Sequence, residues 1–364
     1  MLLLIAGCDK QQQMNADTVW KLNPTSAQKM DLTQIVDSIY LLPLETNEEC
    51  LIKKIYSIDY VDNKFYINNN QMDIQVYDHN GKYLYGTGKY LGNGPRDYTS
   101  ALSFRVLKND TIEIFDAISR KMRHFIYPKG FVSCYEIPKE VLPACQYEWL
   151  NRDTCVFSDG TVETSTLKIY SRSKNKVIKK MEDKQKTMFV KTSNTLYKAN
   201  GNLYFSAPYP SNELYVLNEH LDKDLVLQLD FGQYNFFMKD LPEGMSSKFY
   251  YNYIFVNNKY AYPYSKYLLG NLFISYFQFG ENLYVAYMNK TNGKNLILKN
   301  EKGSHHQFMI PHSVCEGKFL YASEPGYLPY LIDKRLMSDT EIEKIKDVGD
   351  MDNPIIIIYK MKNE

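Results

Sequence analysis

The chain has 364 residues, 44% of them hydrophobic, and its 43 Lys and Arg against 42 Asp and Glu leave a formal charge of +1. Near-neutrality without an extended basic block excludes the electrostatic footprint that holds nucleic-acid phosphates. No stretch approaches the roughly 20 apolar residues of a membrane span, and 14% aromatic residues, 32 of them Tyr, suit strands whose faces stack on neighbouring sheets.

In chain order, MLLLIAGC at residues 1–8 reads as the end of a secretory signal, with small Ala6 and Gly7 before Cys8. That order resembles the lipobox of bacterial lipoproteins, so Cys8 is expected to carry lipid and to anchor the chain to a membrane. Residues 9–36 read as a polar tether and N-terminal segment, and residues 37–364 as the folded domain.

Within that domain one phrase returns six times: a turn of Asn, Asp or Gly, then about six residues alternating aromatic or β-branched with polar. The copies are NKFYINNN from Asn63, DTIEIFDA from Asp110, RDTCVFSD from Arg152, GNLYFSAP from Gly201, ENLYVAYM from Glu281 and GKFLYASE from Gly317. Each reads as the second strand of a four-stranded unit. Recurrence at roughly 40 to 50 residues marks an all-β, six-bladed β-propeller, since one blade alone cannot bury both faces. The first strand precedes each phrase, as in KIYSIDYV before Asp62 and LFISYFQF before Gly280. The third follows, as in DIQVYD from Asp73 and NLILKN from Asn295.

The last unit lacks residues for its fourth strand after NPIIIIYK from Asn353, and DSIYLLPLE from Asp37 is the expected donor. Strands from both termini then share one blade and leave no open edge; removal of residues before Asp37 is expected to be tolerated. Between blades four and five an inserted loop is expected over Gln233 to Tyr267, and SDTEIEKIKDV from Ser338 reads as a short capped C-terminal helix on the outside of the ring.

The lipobox, DSIYLLPLETNEECLIKKI, the connector GTGKYLGNGPRDY and the ending DNPIIIIYKMK together resemble the six-bladed β-propeller lipoproteins of gut anaerobes, a family of unassigned function with NHL-like repeats. The connector matches that family's pattern at Gly92, Gly94, Pro95, Asp97 and Tyr98. The resemblance implies a fold and a cell-envelope location, periplasm-facing or surface-exposed, and no catalytic residue.

In a propeller the connectors between blades and the loops between second and third strands emerge on one face. That face is expected to gather Arg96, Asp97, Asp116, Arg120 and Tyr209, with Tyr262 and Tyr264 in a Tyr-rich flap supplied by the insertion. Charged groups and stacking rings of this kind fit a glycan or an envelope protein. No catalytic set is indicated. No metal motif is indicated either: the six His are scattered, and Cys50, Cys134, Cys145, Cys155 and Cys315 lack CxxC spacing. Cys134 and Cys145 are the nearest pair for a disulfide, with free thiols on strands as the alternative. The expected function is a non-catalytic lipoprotein without cofactor that binds a ligand on its loop-rich face. A calcium-dependent propeller hydrolase or lyase and a purely structural interaction scaffold stand as alternatives.

Overall fold

The computed structural model describes residues 18–362, apart from 160–165, 183–194, 209–210, 219, 243–244, 246–248, 250–252, 255–258, 302 and 316. Six antiparallel sheets form the blades of a propeller, each with four strands taken in order from the centre outward. Blade 1 contains Ile55–Val61, Lys64–Asn69, Asp73–Asp78 and Tyr83–Gly86. Blade 2 contains Ser103–Leu107, Thr111–Asp116, Lys121–Ile126 and Gly130–Glu136, and blade 3 Gln146–Trp149, Thr154–Ser158, Thr166–Ser171 and Lys176–Glu182. Blade 4 contains Leu196–Ala199, Asn202–Ser206, Glu213–Leu217 and Lys223–Asp230, and blade 5 Ala261–Leu269, Leu272–Phe279, Asn282–Asn289 and Lys294–Asn300.

Blade 6 joins Ser313–Cys315, Lys318–Ser323 and Ile355–Met361 to the N-terminal strand Val36–Pro43, in register from Ile355 opposite Pro43 to Met361 opposite Val36. Both ends of the domain therefore close the ring, as expected. The tight hairpins follow from turn chemistry. Asp62 and Asn63 (φ 49° and 61°) and Asn109 and Asp110 (φ 58° and 54°) occupy the left-handed region that two-residue turns require.

The core is a series of layers between blades. Ile58, Phe65 and Tyr77 of blade 1 pack with Leu42, Leu320 and Ile356 of blade 6, and Phe115 and Met122 of blade 2 with Tyr147, Cys155 and Phe157 of blade 3. Across the second of these layers runs a buried polar network. Glu113 accepts from Trp149 Nε1 at 2.6 Å and lies 2.8 Å from His124 Nε2, while His124 Nδ1 meets Ser133 Oγ at 2.9 Å. The direct cross-strand register of Glu113, His124 and Ser133 on three neighbouring strands brings these groups together.

Three details differ from the sequence expectation. In blade 5 each strand lies one place further out: LFISYFQF is the second strand and NLILKN the fourth, while Ala261–Leu269 is the innermost. The insertion is accordingly confined to residues 231–260, which build a small apolar cluster of Phe236, Ile254 and Tyr260 on Tyr262.

The segment before Asp37 is also more than a tether. Val19–Lys21 adds a parallel fifth strand to blade 4 and Gln28–Lys29 does the same to blade 5. Trp20, Leu22, Met30, Leu32 and Ile35 are buried in the main core, so the expectation that this stretch is dispensable does not fit its packing. The third difference is the C-terminal helix, which is shorter than its pattern, spanning Asp339–Glu343 after a four-residue helix at Leu328–Leu331. The Ser338 cap is present, and Glu341 accepts from Leu41 N at 2.6 Å, docking the helix on the outermost strand of blade 6.

Candidate functional site

Inner strands that alternate between the ring axis and the blade core leave a central channel of about 490 Å³, lined by residues of all six blades. Blades 1 to 4 each contribute one charged side chain to its wall: Asp59, Arg105, Glu148 and Lys198. Signs alternate from blade to blade. Arg105 Nε donates to Glu148 Oε2 at 2.6 Å, and Lys198 Nζ lies 3.3 Å from Glu148 Oε1. Arg105 also donates to Phe104 O at 2.7 Å. Burial opposes the Arg105 charge, but Glu148 and Asp59 outweigh it and raise its pKa. At Asp59 burial dominates and, with repulsion from Glu148, pushes the carboxyl up to about 6, while Arg105 and a backbone hydrogen bond from Val106 offset only part of that cost.

Among the described residues, blades 5 and 6 present no carboxylate or ammonium to the channel; Tyr267, His312, Ser313, Val314 and Cys315 form that side. His312 accepts from Ala322 N at 3.2 Å through Nδ1, and burial pushes its pKa down to about 4. The imidazole is therefore neutral at physiological pH and is hydrogen-bonded to the backbone of both Ala322 and Ile55. Among the described residues no group of three or more His, Cys, Asp and Glu side chains converges as a metal site. The five cysteines from Cys50 onward are free thiols there, Cys134 on an outer strand and Cys145 at the channel, so these two do not form the disulfide weighed from sequence.

The residues singled out from sequence lie mostly off this channel. The connector folds as its composition requires: Gly94 N donates to Asp97 Oδ2 at 2.8 Å, and a Cβ on Gly92 or Gly94 would stand 2.8 or 2.6 Å from that oxygen. A side chain at either glycine would therefore displace the Asp97 carboxylate that holds this turn. Tyr98 is fully buried against Phe125, its hydroxyl 2.7 Å from Thr87 Oγ1.

Asp116 is buried and accepts from Thr99 N and Oγ1 and from Ser119 Oγ at 3.0, 2.7 and 2.6 Å. Burial opposes its charge, yet these bonds prevail and lower its pKa. The connector meets the third strand of blade 2, where Arg123 Nη1 reaches Pro95 O at 3.4 Å and Arg123 Nε lies 3.7 Å from Asp116 Oδ2. Arg96 and Arg120 are exposed beside them. Tyr209 and Cys8 lie outside the described residues.

Tyr262 and Tyr264 do not belong to a flap. They stand on the inner strand of blade 5, Tyr262 only 3% exposed, their rings 4.8 Å apart. A bulge between Pro263 and Ser265 keeps this strand paired despite its proline, and the Tyr264 hydroxyl donates to Gln278 Oε1.

Sequence reasoning missed the channel charges. Each is an ordinary polar residue on a half-buried strand, and the four share a site only because the ring closes. The available signal was a charged residue at the centre of four successive inner strands with alternating sign.

Two solved structures share this architecture. One, from Bacteroides fragilis and described as a "putative exported protein", is 15% identical over 95% of this chain and 99% of its own, with a TM-score of 0.69. The other, a member of the DUF4221 family from Bacteroides vulgatus, is 10% identical over 90% and 98% with a TM-score of 0.52. At such identity the likeness conveys the fold. No curated protein matches the chain. The family model described as a domain of unknown function, DUF4934, matches residues 18–360, and the chain belongs to that family.

Proposed function

We propose that this is an exported, non-catalytic binding protein of the bacterial envelope, anchored through lipid on Cys8, that takes its ligand into the central channel. One observation carries the reading: a 490 Å³ cavity on the ring axis, lined by all six blades and furnished with a charged strip, in which the histidine is neutral and tied to the backbone. The volume falls within the range of roughly 300–1,000 Å³ that small-ligand sites occupy. The lipobox-like order before Cys8 and the exported description of the B. fragilis protein support the location.

Gln71, from the loop between the second and third strands of blade 1, lines the channel and places its mouth on the connector face. A glycan or envelope protein presenting the ligand would meet exposed Arg96 and Arg120 on that face. The calcium-assisted alternative has no donor cluster behind it among the described residues.

Thermal-shift and calorimetric screens of amino acids, short peptides and saccharides test the reading, with Ser313→Trp filling the channel. Binding that vanishes in Ser313→Trp at unchanged fold supports it; binding that survives places the site elsewhere. Mass spectrometry of protein recovered from membranes tests the anchor, with Cys8→Ser expected to release the chain.

A further inference from the structure

We infer that the channel ligand is a small zwitterion bearing an apolar group, of the class of free amino acids and short unblocked peptides. The inference rests on the channel reading above and adds the chemistry of what fills it.

Around the axis the wall runs Asp59, Arg105, Glu148, Lys198 on blades 1 to 4, and the described residues of blades 5 and 6 that follow are uncharged. The interior charges are doubly served. Glu148 receives both Arg105 and Lys198, and Arg105 lies between Glu148 and Asp59. The two ends each face one opposing charge among the described residues: Lys198 has Glu148 and keeps 46% of its side chain exposed, while Asp59 has Arg105, besides a backbone hydrogen bond from Val106.

Because the structure is a ring, these ends face each other across blades 5 and 6. A ligand carboxylate beside Lys198 and a ligand ammonium beside Asp59 would supply the two charges that those blades lack. The alternation of sign would then be complete around all six positions.

The body of such a ligand would lie along the wall of blades 5 and 6, where half-buried Val314 offers apolar contact between Ser313 and Cys315. A lone anion would satisfy Lys198 and leave the Asp59 end as it is; a lone cation would do the reverse. A neutral saccharide would satisfy neither, while removing water from both. The raised carboxyl of Asp59 agrees with an anion whose full partner arrives from outside.

The test uses the intact chain with leucine and leucyl-leucine as probes, and N-acetyl-leucine, leucinamide and maltose as controls, measured by isothermal titration calorimetry. Charge-assisted hydrogen bonds predict that blocking either end weakens binding about ten- to a hundredfold. Asp59→Asn should weaken leucine while leaving N-acetyl-leucine unchanged, and Lys198→Met should weaken leucine while leaving leucinamide unchanged. This cross-pattern supports the assignment, and the variants' melting curves report that they are folded.

Equal affinity for free and blocked forms, or maltose binding above both, overturns the zwitterion class. If that binding is still lost in Ser313→Trp, the channel reading survives. Binding of leucine that Ser313→Trp leaves intact overturns both, whereas the absence of heat for leucine and leucyl-leucine at millimolar concentration overturns the zwitterion class and leaves the channel to the wider screen.

Discussion

Replacing Trp20 with alanine tests whether the segment before Asp37 is part of the fold. Trp20 is 4% exposed, its ring lies edge-on to Phe273 with centroids 4.8 Å apart, and Nε1 donates to Asn295 Oδ1 at 3.2 Å. Truncating a buried aromatic to alanine costs ~3–5 kcal/mol. Asn295 is exposed, so its amide regains water when the indole leaves, which places the cost near the lower limit, about 3 kcal/mol. Trp20→Phe keeps most of the apolar contact and forfeits the hydrogen bond, for about 1 kcal/mol. Urea titration followed by circular dichroism reads both values. Native-state hydrogen exchange at Leu22, whose amide bonds to Asp230 O at 2.8 Å, separates local peeling from global loss. A Trp20→Ala midpoint equal to that of the parent chain would refute the reasoning and return residues 18–35 to the role of a tether.

Three further outcomes are expected. Glu113→Ala strands the Trp149 and His124 donors that converge on one buried carboxylate and should cost about 3–5 kcal/mol; a loss below 1 kcal/mol would show that water replaces it. Asp59 holds its proton up to about pH 6 in the folded state, above its ordinary value. The folded chain then binds more protons than the unfolded one between about pH 4 and 6, and stability falls across that window. Asp59→Asn should abolish the fall and raise the melting temperature at pH 7.5, and a parallel pH profile would refute this. Lys266 is buried, donating to Ala207 O and Ser211 O at 3.0 Å each, and burial lowers its pKa to about 7. Stability tied to it should rise as pH climbs from about 7 toward 10, where only the unfolded chain keeps the proton; Lys266→Met should lack that rise in pH-resolved melts.

Much of the ring was legible because hairpin turns announce themselves. Asn200–Gly201 and Asn109–Asp110 adopt positive φ, and residues of those types between alternating runs have few other uses. The shared blade was legible from an unfilled strand at one end and a spare one at the other. Blade 5 was misread for a physical reason. Gly270 and Gly280 both take positive φ between long apolar strands, so two registers satisfy the same pattern. The candidate site was largely illegible. Asp116 reads as a loop acid but is consumed by Thr99 and Ser119, whereas Asp59 and Lys198 gain meaning only from the opposing blades.

The seam in blade 6 makes the first strand of the ring wait for the last. Leu41 is emitted early in synthesis, yet the Glu341 carboxylate that holds its amide follows 300 residues later, and its strand partner Ile357 comes later still. Until then Ile39, Leu41 and Leu42 lie on an unpaired edge. Loop-closure entropy of this length grows only logarithmically, so the delay weighs on kinetics and holdase demand more than on final stability. A polypeptide cut short during translation cannot zip this joint and keeps an open edge.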